Sequence, residues 1–382
     1  MAGSKINVQR IVNEFCDLVL IDSTSKKERH MADEIKRKLE AMGLDVQEDD
    51  AGTKIGGDSG NLICRIKSNY TGNRVPALVF LSHLDTVVPG SGKKAIIEDG
   101  IIKTDGSTVL GGDDLAGVVS MLESLRKIEE EGIKHGDIIF VFTVAEELGL
   151  LGSKNMDCTS IKADYGFVLD SGGSVGKIDV RAPAQYNFDV EIRGKAAHSG
   201  MEPENGINAI LIASDAISGM KQGRIDEETT ANIGIINGGY AVNIVCDRVS
   251  IRGEARSRNP AKLEAQLQHM KSCFEDSAEK HGGSVTFKPD FLYGSFDIPE
   301  DALITKLLKK AADSIGIRLQ LESTGGGSDT NILNGCGIET VNISVGMEKV
   351  HTTSEYIRID DIVKTVDFMV AVIKTAVTGE GL

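Results

Sequence analysis

Seven residues with metal-binding or acid–base side chains follow predicted β-strands or open a predicted helix beside them. They are His83, Asp85, Asp113, Glu146, Glu147, Asp170 and His351. Because ligands of open α/β sheets bind beyond the carboxyl ends of the strands, we expect these side chains to lie along one sheet edge. Histidine and carboxylate ligands without cysteine suit Zn²⁺, and Mn²⁺ or Co²⁺ are alternatives. The pattern therefore predicts a metal centre.

Several of these residues also have an ordinary structural interpretation. His83 and Asp85 would point the same way on extended backbone, but such pairs are common in loops. Asp114 alone could cap the helix that follows it, which leaves Asp113 unexplained. The adjacent glutamates at 146–147 could lie in a solvated loop, where water would offset the cost of two charges. The recurrence of such residues at strand ends favours a shared site.

The elements that must position these residues alternate between strand and helix. The run 138–145 is apolar without polar alternation, which is typical of a strand covered on both faces. Asp-Gly at 99–100 predicts a hairpin joining 95–98 to 101–104. Residues 6–45 predict a helix, a turn and a second helix. The fold class is therefore α/β, with a mixed, mostly parallel sheet flanked by helices.

A segment of different character interrupts this pattern. Residues 182–292 have the predicted order β-α-β-β-α-β, which fits a small ferredoxin-like α+β sandwich. The strand-end pattern resumes afterwards with His351, so the segment is an insertion. We expect one domain made of residues 1–181 and 293–382, and a second domain at 182–292.

Composition narrows the possible partners and the compartment. The 382-residue chain has a formal net charge of -15, which argues against nucleic-acid and anionic-membrane partners. Its start lacks the apolar core of a signal peptide and no run approaches a membrane span, so we expect a cytoplasmic location. Six cysteines without C-x-x-C spacing predict free thiols. The histidines at 30, 135, 269 and 281 are predicted to be solvated.

Six motifs, in order along the chain, resemble those of the M20 metallopeptidases and, within them, the peptidase T-like branch. They are Ser-His-Leu-Asp-Thr at 82–86, Gly-Gly-Asp-Asp-Leu-Ala-Gly at 111–117, Ala-Glu-Glu-Leu-Gly at 145–149, Leu-Asp-Ser-Gly at 169–172, Ala-Ala-His-Ser-Gly at 196–200 and Val-His-Thr at 350–352. One departure is Leu115, which stands where many relatives have lysine. This departure affects substrate binding or the tuning of the site, and it leaves the metal ligands unchanged.

The resemblance implies a zinc-peptidase catalytic domain that holds two Zn²⁺ ions per subunit. His83 and Asp170 would bind one ion, Glu147 and His351 the other, and Asp113 both. The resemblance also implies a cis peptide bond between Asp113 and Asp114. Asp85 would orient His83, and Glu146 would be the general base for the metal-bridging water.

The resemblance further implies an aminopeptidase acting on short peptides, with tripeptides the expected substrates. The inserted domain would be a lid through which two chains form a homodimer. Its His198 would stabilise the oxyanion, in cis or in trans, and Asn243 and Arg256 would contact substrate. Alternatives are another M20 amidohydrolase, such as a dipeptidase or N-acyl-amino-acid deacylase, or an inert relative that only binds ligand.

Overall fold

The computed structural model describes residues 6–379, which divide into two compact units. The first unit consists of the chain up to Val180, Asp297–Ser323 and the chain from Ser328. The second unit consists of Arg181–Phe296 with the short segment Thr324–Gly327. The chain therefore leaves the first unit and returns to it.

The helices of the described residues are numbered in chain order. They are α1 Val8–Val19, α2 Arg29–Ala41, α3 Ala51–Ile55, α4 Gly112–Glu131, α5 Leu151–Lys154, α6 Ala209–Gly219, α7 Pro260–His281, α8 Leu303–Ser314, α9 Asp329–Gly335 and α10 Ile359–Thr378. The predicted helical pair at 6–45 corresponds to α1 and α2. No helix among the described residues has the length and apolar character needed to cross a bilayer.

The strands are numbered in the same way. They are β1 Val46–Glu48, β2 Leu62–Ile66, β3 Leu78–His83, β4 Ile96–Glu98, β5 Ile101–Lys103, β6 Ile138–Thr143, β7 Tyr165–Gly172, β8 Lys177–Ala182, β9 Ala184–Arg193, β10 Gly223–Arg224, β11 Thr229–Gly238, β12 Arg248–Ser257, β13 Ser284–Tyr293, β14 Phe296–Asp297, β15 Gln320–Ser323, β16 Glu339–Glu348 and β17 Tyr356–Arg358. The Asp-Gly hairpin joins β4 to β5 as predicted, and both turn residues have positive φ.

A mixed sheet forms the centre of the first unit, with strand order β1-β2-β6-β3-β7-β16-β17-β5-β4. The middle strands β6, β3, β7 and β16 are parallel neighbours, whereas β2 pairs antiparallel with β6. Every residue of β3 and β6 is buried, because both faces of the sheet are covered. Leu81 packs with Leu333 of α9 in one cluster, while Phe80 stacks on Phe167 within the alternate set of side chains. The predicted mixed α/β fold is confirmed.

The second unit contains an antiparallel sheet with strand order β10-β11-β12-β9-β13. Apart from the two-residue strand β10, its elements follow the predicted order β-α-β-β-α-β. Both α6 and α7 pack on this sheet around a core that includes Phe188, Ile192 and Phe274. Side chains alternate along each strand, so one face of the sheet supplies this core.

Two sequence-based expectations about single residues are wrong. Cys158 and Cys336 form a disulfide across 178 residues, with Cα atoms 6.0 Å apart. Their pairing depends on the folded position of α9 beside the turn at 158–160, which no local cysteine spacing encodes. His135 is buried instead of solvated, and its Nδ1 lies 2.7 Å from the Gly136 carbonyl oxygen.

Candidate metal centre and active site

Histidine and carboxylate side chains meet in two groups, and Asp113 belongs to both. His83 and Asp170 form one group with Asp113, and Glu147 and His351 form the other with it. In the first group, His83 Nε2 lies 2.9 Å from Asp113 Oδ1 and 3.7 Å from Asp170 Oδ1. In the second, His351 Nε2 lies 3.2 Å from Asp113 Oδ2 and 3.1 Å from Glu147 Oε2. The structure thus brings together all five residues predicted as ligands.

The order of the parallel strands explains this convergence. Strands β6, β3, β7 and β16 are consecutive neighbours, and parallel strands end at the same edge of a sheet. His83 is the last residue of β3, and Asp170 lies near the end of β7. Glu147 lies in a short 3₁₀ turn after β6, and His351 follows β16. Asp113 reaches the same edge from the start of α4.

The backbone departs from ordinary geometry around these side chains. The Asp113–Asp114 peptide bond is cis, as the sequence resemblance implied. Ala145 and His351 have φ angles of 48° and 63°, in the left-handed region that non-glycine residues seldom adopt. Left-handed φ angles at non-glycine residues persist only where surrounding contacts hold them, and they concentrate at functional sites.

Asp85 contacts both ligand-bearing segments. His83 Nδ1 lies 2.9 Å from the Asp85 main-chain oxygen and 3.5 Å from the carboxylate Oδ1. The carboxylate itself accepts hydrogen bonds from the Glu146 and Glu147 amides at 2.9 and 3.2 Å, and from Ser25 Oγ at 2.7 Å. The main-chain oxygen and the carboxylate of Asp85 thus both lie close to His83 Nδ1, and the carboxylate also holds the turn at 146–147. The orienting role of Asp85 stays a prediction.

The charges of the two groups perturb one another strongly. Burial and the negative charge of Asp113 raise the pKa of Asp170 to about 7. Hydrogen bonds with Asp113 and Glu147 raise the pKa of His351 to about 10. Burial disfavours charge on His83, yet its hydrogen bonds to the carboxylates raise its pKa well above the usual value. Protons on the histidines thus balance the crowded carboxylates, and bound cations would replace those protons.

The chemistry of these groups fits two divalent cations. Each group offers one imidazole and two carboxylates, a nitrogen and oxygen set without sulfur. The two carboxylate oxygens of Asp113 face different groups, as a shared ligand requires. Glu147 Oε1 is buried and accepts no hydrogen bond, so it has a lone pair available for a cation.

Glu146 lies beside this centre but belongs to neither group. It begins the 3₁₀ turn Glu146–Leu148 and is buried. Burial, reinforced by the negative charge of Asp170, raises its pKa well above the usual value. A buried carboxyl group next to, but outside, a metal site has the character of a general acid or base.

Three buried carboxylates around the centre were missed in the sequence: Glu28, Asp329 and Glu355. Glu28 Oε1 accepts a hydrogen bond from the Ala145 amide at 2.9 Å, and burial raises its pKa to about 7. Asp329 accepts a hydrogen bond from Thr143 Oγ1 at 2.6 Å. The Gly-Gly-Gly-Ser-Asp motif at 325–329 was the one available signal for Asp329.

In the second unit, His198 and Asn243 are neighbours, whereas Arg256 lies elsewhere. His198 is bridged to Ile244, and the Ser199 amide donates to the Asn243 carbonyl at 3.1 Å. Arg256 is paired with Gln185 near the beginning of β9, while His198 follows the end of that strand at Arg193. The strand between Gln185 and Arg193 spans roughly 25 Å at the usual rise per residue. These candidate residues therefore occupy opposite ends of the same sheet.

Comparison with known proteins identifies the family. Residues 79–375 match the model of Peptidase family M20/M25/M40. The chain is 48% identical over 371 residues to the uncharacterized protein YqjE of Bacillus subtilis, covering 97% of this chain and 99% of the relative.

Two crystal structures are similar over nearly the whole chain. The aminopeptidase PepT from Bacillus cereus is 46% identical, with a TM-score of 0.90 and coverage of 97% of this chain and 99% of that one. A tripeptidase from Staphylococcus aureus is 41% identical, with a TM-score of 0.94 and coverage of 98% and 100%. The chain therefore belongs to Peptidase family M20/M25/M40, as a peptidase T-like metallopeptidase.

Proposed function

We propose that this protein is a dinuclear zinc aminopeptidase that releases the N-terminal residue of tripeptides. The observation that carries the proposal is a buried carboxylate, Asp113, shared by two ligand groups beside a buried acid–base candidate, Glu146. The substrate class is supported by the two similar crystal structures, which are those of an aminopeptidase and a tripeptidase.

In this proposal, His83 and Asp170 would hold one ion, Glu147 and His351 would hold the other, and Asp113, which belongs to both groups, would be a ligand of each. Zinc, when bound, supplies Lewis acidity that favours nucleophilic attack on an amide carbonyl. Glu146 accepts the proton of the attacking water and passes it to the leaving amine, which needs a carboxyl group that can take and return a proton.

The second unit acts in this proposal as a lid and a dimerisation domain. His198 stabilises the oxyanion, while Asn243 and Arg256 contact substrate. An extended tripeptide spans about 10 Å, much less than the roughly 25 Å of strand between the ends that carry His198 and Arg256. This separation supports the supply of His198, together with its neighbour Asn243, by a second subunit across a two-fold axis.

Mixing two inactive variants tests this arrangement. Glu146→Ala and His198→Ala homodimers should each have low activity, and exchanging their subunits should restore about a quarter of wild-type activity. The reason is that about half of the dimers become hybrids, and each hybrid contains one site with both Glu146 and a partner-supplied His198. Activity is measured after subunit exchange, with light scattering to verify dimers. A mixture no more active than its components would show that His198 acts within its own chain.

The short-peptide partner and the cytoplasmic location belong to the same proposal. The net charge of -15 disfavours anionic macromolecules as partners.

The Cys158–Cys336 pair is unusual for a cytosolic protein, where thiols are kept reduced. Alkylation of the thiols in freshly lysed cells, followed by mass measurement, reports the state of this pair.

A panel of substrates tests the activity directly. The Zn²⁺-loaded protein is incubated with dipeptides, tripeptides, longer peptides, N-acetylated tripeptides and N-acyl amino acids, and new free amines are counted. We expect the free tripeptides to be cleaved at the first bond and the acetylated ones to resist. Cleavage confined to dipeptides or to N-acyl amino acids would instead identify a dipeptidase or a deacylase. No hydrolysis with Zn²⁺, Mn²⁺ or Co²⁺ would identify an inert relative.

A further inference from the structure

Glu355 is a buried carboxylate with three main-chain partners in the loop that carries Asp113. Its Oε2 accepts hydrogen bonds from the Leu110 and Gly111 amides at 2.7 and 2.9 Å. Its Oε1 accepts one from the Asp113 amide at 2.9 Å. The side chain is almost inaccessible to solvent, at 2% relative exposure of the residue. Both carboxylate oxygens are thus committed to this one loop.

The two glycines of the loop fit this contact. Gly111 has a φ of 74°, which turns its amide toward Glu355 in a conformation that suits glycine. A Cβ atom at Gly112 would lie only 3.0 Å from Glu355 Oε1, so a larger residue would press on the carboxylate. The sequence Gly-Gly-Asp-Asp therefore allows a carboxylate to approach the main chain directly before Asp113.

Glu355 also belongs to the segment that carries His351. This segment joins β16 to β17, which pair through Glu348 and Tyr356. Within it, the Glu355 amide donates to the Thr352 carbonyl at 3.1 Å, which forms a tight turn. Glu355 therefore connects the loop that carries Asp113 with the turn that carries His351. Asp113 Oδ2 and His351 Nε2 lie 3.2 Å apart.

We propose that Glu355 is a positioning residue that fixes Asp113 relative to His351 and so completes the metal site formed with Glu147. This inference rests on the proposed two-metal function. The physical reason is that three amides converging on one carboxylate hold the loop at a defined distance from the turn. Glutamine cannot replace this carboxylate, because its NH₂ group would face an amide that needs an acceptor.

Stepwise Co²⁺ titration of the full-length protein tests the proposal, with visible absorption and bound-metal analysis as readouts. The wild-type protein should bind two ions in two steps, and His351→Ala should remove the step that belongs to its site. Glu355→Gln should lower the Co²⁺ affinity of that same step by about 10- to 100-fold, which is the usual effect of losing a hydrogen-bond partner of a metal ligand. The other step also uses Asp113 but not His351, so it should weaken much less, and excess Co²⁺ should restore the kcat of the variant.

Two further variants separate positioning from loss of fold. Gly112→Ala keeps the Glu355 charge but displaces the carboxylate, so it should weaken the same step to a smaller extent. Glu14→Gln is the matched control, because Glu14 is another buried carboxylate, held by Arg126 Nη2 at 2.8 Å. It should lower Tm without changing either binding step. If Glu355→Gln does not fold, the Co²⁺ affinity of Gly112→Ala in the step that belongs to the His351 site tests the proposal instead.

The outcomes distinguish this inference from the proposed function. The role of Glu355 would be overturned if Glu355→Gln bound Co²⁺ with wild-type affinity in both steps, or if it lost the same affinity in both. Either result would leave the proposed two-metal peptidase intact. Wild-type steps in Gly112→Ala would overturn that role in the same way. A wild-type protein that binds no Co²⁺ would overturn the proposed function and this inference with it.

Discussion

Replacing Glu146 with glutamine is expected to lower kcat by about 10²- to 10⁴-fold, the contribution of a general acid–base group. The substitution keeps the size of the side chain but removes its ability to accept a proton. Because Glu146 belongs to neither ligand group, the variant should still bind two metal ions per subunit. Steady-state kinetics on a tripeptide and metal analysis of the same sample measure both quantities.

The adjacent residue provides the matched control. Glu147→Gln makes the same chemical change one position further along, but it removes a member of the second ligand group. We expect this variant to retain one metal ion and to regain activity at high metal concentration, whereas Glu146→Gln should not respond. Retention of substantial activity by metal-loaded Glu146→Gln would exclude Glu146 as the proton acceptor.

Removing the metal should abolish hydrolysis and also destabilise the protein. The closely spaced carboxylates Asp113, Glu147 and Asp170 repel one another, and bound cations would offset this repulsion. Because a metal that binds only the folded state stabilises it, each site filled at 1,000 times its Kd contributes about 4 kcal/mol. Treatment with a chelator should therefore eliminate activity and lower Tm, and Zn²⁺ should restore both.

Two comparisons make this test specific. Mg²⁺ should not restore activity, because it prefers an octahedral set of oxygen ligands over imidazole nitrogen. Asp113→Asn weakens both sites at once, so its Tm should be low and should respond little to the chelator. A chelated wild-type protein with unchanged activity and Tm, verified free of metal, would refute the metal-dependent mechanism.

The sequence by itself determined which residue types could meet at the sheet edge. Apolar runs marked β3, β6, β7 and β16, and ligand-type residues came directly after or near the end of each. Since parallel neighbours share an edge, the residues at their ends had to converge. The segment 182–292, predicted as an insertion, stood out because its predicted strand and helix order differed from the surrounding pattern.

Only the tertiary structure decided which groups hold those residues in place. Glu355 reaches the Asp113 amide across 242 residues, and the Asp85 carboxylate holds the amides of the turn at 146–147. Main-chain amides are present at almost every position, so the partners of a buried carboxylate carry no local signature. The Cys158–Cys336 pair arises in the same way. Local sequence patterns thus predicted the ligand-type residues of the centre. The hydrogen bonds that hold those residues in place involve contacts that exist only after folding.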